Sequence, residues 1–122
     1  MKPKFIGTYS MGFQTVRLYL ASGTGARTEF MPKDKGTITM TIGANHRHWH
    51  SVLGSLLHEA QESGMYTLGL SYQNYGFMTN GTSAFVFVMT HEQFDECCLR
   101  SADLIASCQS DLHLEWKKWK NK

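Results

Sequence analysis

The sequence predicts an α+β domain, with an antiparallel or mixed sheet of four to five strands and two helices packed on it. Three observations predict it. Apolar residues recur every second position over 15–20 and 36–43. They recur every 3.6 positions from Trp49 onward. A helix-capping sequence follows an apolar run near residue 90. The chain has 122 residues, 42% hydrophobic and 18% charged, the size and composition of one folded domain spanning 1–122. Its net charge of +2 excludes a binder held by bulk charge alone.

In chain order, Lys4–Tyr9 is a weak strand candidate. Thr15–Leu20 places Val16, Leu18 and Leu20 on one face, and a Gly-rich polar turn covers Ala21–Arg27. Gly36–Gly43 is the cleanest strand, with Ile38, Met40 and Ile42 inward and three threonines outward. The period then changes. Trp49, Val52, Leu53, Leu56, Leu57 and Ala60 form the stripe of an amphipathic helix that stops at Gly64. Met65–Tyr72 reads as extended, 72–77 as a loop, and Asn80-Gly81 as a hairpin turn. Ala84–Met89 is apolar on both faces, as a central strand would be. Thr90-His91-Glu92-Gln93 is a capping box opening a second helix. Its stripe is Phe94, Cys98, Ile105, Cys108 and Leu112, with a break at Ser110-Asp111 before a terminal turn over 114–119.

Six histidines are a high count for this length, and His46, His48, His50 and His58 fall within thirteen residues. His58 and Glu62 lie four apart, on one face of the first predicted helix. Two ligands at that spacing can share a zinc ion, and Glu59 between them is a candidate general base for a metal-bound water. A third protein ligand is then needed. His91 is the first candidate, with Glu92 and Glu96 behind it. The run from His46 to His50 reads mainly as a polar helix start, with His50 as a possible extra ligand.

The run Leu56-Leu57-His58-Glu59-Ala60-Gln61-Glu62 resembles the active-site helix of small gluzincin-type zinc metallopeptidases, found in bacteria and phages. That family carries H-E-x-x-H and a further ligand on a following helix. Glu62 stands here where the family has its second histidine. The resemblance covers roughly residues 36 to 96 and implies zinc on His58 and Glu62, Glu59 as base, and a peptide or protein substrate. The chain then reads as a zinc-dependent, peptidase-like hydrolase. The other reading of the same residues makes them the solvated face of an amphipathic helix in a non-catalytic binding or inhibitor module.

That module would bind a protein, nucleotide or nucleic-acid partner. Its contacts would come from the aromatic loop 66–77, with Tyr72 and Tyr75, and from the Trp116–Lys122 tail, with Trp119. Three cysteines, two of them adjacent, read as reduced thiols of a cytoplasmic protein. The N-terminus lacks the apolar core of a secretion signal, and no apolar run is long enough to span a membrane.

Overall fold

The structure is a computed structural model, and it describes residues 2–30, 36–68, 71–73, 85–87 and 89–122. In chain order the elements are β1 (Lys4–Met11), β2 (Gln14–Ala21), β3 (Ala26–Phe30), β4 (Thr37–Gly43), α1 (Trp49–Thr67), β5 (Ser71–Gln73), β6 (Phe85–Phe87) and α2 (His91–Lys120). The expected α+β arrangement is present. Its main sheet has four strands in the order β1-β2-β4-β3, and it is mixed. β2 runs parallel to β4, while β1–β2 and β3–β4 are antiparallel.

Alternation along the central strands sets the register. Val16, Leu18 and Leu20 stand directly opposite Ile38, Met40 and Ile42, and all six are buried. A slip of one residue would turn this set toward water. Both helices cover this same face: Val52, Leu56 and Ala60 of α1 and Leu104, Cys108, Leu112 and Trp116 of α2 join the same core. β1 turns into β2 through Gly12-Phe13, and Gly12 takes φ +64°, which a side chain resists. At the far end of the sheet the 21–25 turn crosses the end of β4. A Cβ on Gly43 would lie 2.5 Å from the carbonyl oxygens of Gly23 and Gly25, so this close approach requires glycine. Backbone bonds from Ala44 to Ala21 and from Asn45 to Gly23 fix the crossing.

Several expectations are corrected. Ala26–Phe30 is a strand, although its beginning was read as part of a turn. α1 does not stop at Gly64 but continues to Thr67. Gly64 is buried against α2, where an added Cβ would meet Cys97 Sγ at 3.1 Å, so its role is to let the helices approach. Met65–Thr67 is therefore helical rather than extended. α2 runs unbroken for 30 residues through Ser110-Asp111. No glycine or proline interrupts it, and Asp111 faces outward to accept a 2.7 Å bond from the Tyr9 hydroxyl. Its buried stripe is Cys97, Ser101, Leu104, Cys108, Leu112 and Trp116, whereas Phe94 and Cys98 are exposed. The capping box is present. Gln93 N–H donates to the Thr90 hydroxyl and Thr90 N–H donates to the Gln93 side chain, at 3.1 and 2.8 Å.

β6 pairs with β5 in a two-stranded sheet, so among the described residues it is not a central strand of the main sheet. The Asn80-Gly81 turn lies outside the described residues. Among the described residues no helix is long and apolar enough to cross a membrane.

Candidate metal centre

The phase of α1 decides what its polar side chains can do. Val52, Leu56 and Ala60 point straight into the core, so Glu59 and Ser63, one position to the side, face β3. Leu57, expected in the buried stripe, is 42% exposed, while Glu59 is only 6% exposed. A buried carboxylate requires partners to offset its desolvation. Thr28 on β3 supplies one: its hydroxyl donates to Glu59 Oε1 at 2.9 Å. The other oxygen, Oε2, lies 3.7 Å from His58 Nε2.

His58 also meets Glu62 one turn later, with Nε2 2.9 Å from Glu62 Oε2. One nitrogen and two carboxylate oxygens therefore converge, all within 4.8 Å of one another. Zinc bonds of about 2.0–2.1 Å in tetrahedral geometry place ligand atoms about 3.3 Å apart. The separations of 2.9 and 3.7 Å fall on either side of that edge length. Two carboxylates at one point carry a negative charge that a dication would offset. Thr28 meanwhile holds the carboxylate's other oxygen, as an outer partner of a metal ligand does.

A cleft of about 100 Å³ adjoins this cluster, lined by Thr28, Phe30, Glu59, Glu62, Ser63 and Tyr66. Phe30 and Tyr66 stack with ring centres 3.9 Å apart and form one wall. Ser63 Oγ is buried and has no hydrogen-bond partner among the described residues.

The structure brings together three of the four residues proposed for catalysis and metal binding. His91 stands outside this group. It is the exposed first residue of α2, and its ring pairs with Asp95 at 3.4 Å. It precedes Cys97, the α2 residue that contacts Gln61 and Gly64, by about 9 Å of helix. Glu92 is also outside the group, and Glu96 accepts a 3.2 Å bond from Arg100. His50 is exposed and stacks on His48.

Among the expected binding residues, Tyr72 belongs to β5 and Tyr75 lies outside the described residues. Trp119 is half-buried against the core at the end of α2. Thr28, Phe30 and Ser63 were not singled out from the sequence. For Thr28 and Phe30 the signal is the alternation Ala26-Thr28-Phe30, which is legible once β3 is known to be a strand, and Ser63 on α1 has none.

No family model matches the chain, and neither the curated proteins nor the solved structures contain a significant match to it.

Proposed function

We propose that His58, Glu59 and Glu62 bind one divalent cation, zinc in the first instance, and that the chain is a small metal-dependent hydrolase of peptide-like substrates. The convergence of the Glu59 and Glu62 oxygens on His58 Nε2 carries this reading. A metal bound there supplies a Lewis acid and lowers the pKa of bound water toward neutrality. The remaining work falls to side chains. His58 ligates as the neutral imidazole, with Glu62 one helical turn away. Glu59 supplies Oε2 as the third ligand, its orientation set by the Thr28 hydroxyl on Oε1. This assignment replaces His91 as third ligand and moves Glu59 from base to ligand.

The cleft beside the cluster offers room for a substrate group, and Tyr66, stacked on Phe30, lines it and carries a hydroxyl donor. The resemblance of residues 58–62 to the gluzincin helix makes the peptide bond the first substrate to try. Free Cys97, Cys98 and Cys108 accord with a cytoplasmic setting.

The test is hydrolysis of a mixture of unstructured fluorogenic peptides by zinc-loaded protein, beside His58→Ala. Cleavage by the wild type alone supports the reading. No cleavage by a zinc-loaded wild type overturns the hydrolase assignment and leaves metal binding standing.

A further inference from the structure

A separate surface lies at the opposite end of α1. The 44–48 loop and the last two turns of α2 are distant in sequence but clamped together. Trp116 Nε1 donates to the Ala44 carbonyl at 3.1 Å, and Lys120 Nζ donates to the Arg47 carbonyl at 2.9 Å. The Trp49 and His113 rings stack at 4.3 Å across the same junction.

This clamp gathers charge. Residues 44–50 and 116–122 together hold Arg47, Lys117, Lys118, Lys120 and Lys122 and no aspartate or glutamate, although the whole chain carries only +2. All five cationic side chains are exposed. The nearest carboxylate in sequence, Glu115, is engaged by Lys4 and Lys118. The remainder of the chain is therefore net acidic, and the positive charge is concentrated at one end.

Planar rings are interleaved with these cations. His48 and His50 are exposed and stack on each other at 5.4 Å. Lys122 lies over half-buried Trp119, 5.9 Å from the ring centre, and Lys120 lies over Trp116 at 4.8 Å. Cations spaced along a surface match a phosphate backbone, and accessible rings between them give unpaired bases something to stack on. A lipid surface would instead call for a continuous exposed aliphatic face. On the last turns of α2 Leu114 alone supplies one, at 55% exposure.

From these observations we propose that the Arg47–Lys122 end of the molecule binds single-stranded nucleic acid. The phosphates lie along Arg47, Lys117, Lys120 and Lys122, and bases stack on the His48/His50 pair and on Trp119. This surface starts about 12 Å along α1 from His58. It is therefore a second site, independent of the metal centre.

Fluorescence anisotropy of a labelled oligothymidylate tests the proposal. About four phosphate contacts give a salt slope near −2.8, so affinity falls about 50-fold between 50 and 200 mM salt. Lys117→Gln with Lys122→Gln removes two contacts and weakens binding at 100 mM salt about 25-fold, and Arg47→Gln weakens it about 5-fold. Far-ultraviolet circular dichroism and zinc binding stay unchanged in both variants. Absence of binding at 50 mM salt overturns the proposal, as does binding indifferent to both variants. Tighter binding to duplex DNA overturns the single-strand assignment. Tighter binding to phosphatidylglycerol vesicles than to the oligonucleotide overturns the choice of nucleic acid in favour of a lipid surface.

Discussion

Exchanging Glu59 for glutamine separates the ligand role from every other role of that residue. The glutamine amide has the shape of the carboxylate. It can present its oxygen to the Thr28 hydroxyl, which now donates to Glu59 Oε1 at 2.9 Å. The side chain is 8% exposed, so the exchange of one buried group for another of the same shape leaves no cavity. The stability of the metal-free variant should stay within about 1 kcal/mol of wild type. What changes is the atom facing His58. An oxygen 3.7 Å from Nε2 becomes an NH₂ group with no lone pair for a metal.

Zinc at 100 times its Kd stabilises the wild type by about 2.7 kcal/mol. At roughly 4 °C per kcal/mol for a chain of this size, that is a rise in Tm of about 11 °C. Loss of an outer partner alone weakens metal binding about 10- to 100-fold, and loss of a ligand weakens it at least as much. At 100-fold weaker affinity the same zinc concentration gives only about 0.4 kcal/mol, or a rise of about 2 °C. Differential scanning fluorimetry with and without zinc reads this directly. Thr28→Val, which keeps the shape and removes the donor, should fall between the two. A full zinc-dependent rise in Glu59→Gln would refute the ligand assignment and return Glu59 to the role of general base.

The helix interface and the core give three further predictions. Gly64→Leu forces a side chain into the contact with Cys97 Sγ, already 3.1 Å from where a Cβ would sit. Overpacking of this kind costs about 1–3 kcal/mol, so Tm should fall by about 4–12 °C, and an unchanged Tm would show that the helices are not in contact there. Burial raises the thiols of Cys97 and Cys108, the latter to about 12 with a further push from Asp111. Iodoacetamide at pH 8 should then label only exposed Cys98 in the native protein and all three cysteines in denaturant. The fold prefers the protonated Cys108 thiol. That stabilisation is complete below the unfolded thiol pKa of about 8.5 and is lost as pH rises from there through the folded value. Tyr9 adds to the same alkaline loss, because burial and its bond to Asp111 hold the phenol protonated. Urea midpoints at pH 8 and pH 10.5 check the sign, and an equal or higher midpoint at pH 10.5 would contradict it.

The parts of the fold that could be read from sequence are those where local pattern and tertiary environment agree. Val16-Leu18-Leu20 and Ile38-Met40-Ile42 alternate because one sheet face is covered and the other open. Thr90 and Gln93 spell a capping box because the bonds are local. The phase of α1 was misread because Leu53 and Leu57 are more apolar than Glu59 and Ser63. A hydrophobic stripe therefore turns the wrong edge inward. The hydroxyl of Thr28, 31 residues earlier on a strand whose alternate positions are Arg27 and Glu29, offsets the burial of Glu59. The pairing of His58 with Glu62 is legible as an i,i+4 spacing and Glu59 as a candidate base beside it, while the convergence of a Glu59 oxygen on His58 is not legible without Thr28. Residue type and a place at the start of the second helix suggest His91 as a ligand, yet on the first turn of α2 its ring pairs with Asp95. The basic end was visible in sequence only as the tail. The part played by Arg47 depends on a contact spanning 73 residues.

On the proposed assignment His58, Glu59 and Glu62 form one metal site. The most direct measurement is the zinc content of protein purified without a polyhistidine tag and equilibrated with zinc at neutral pH. One equivalent in the wild type and none in His58→Ala is the predicted result. A wild type that binds no zinc, or a His58→Ala variant that retains it, contradicts the claim.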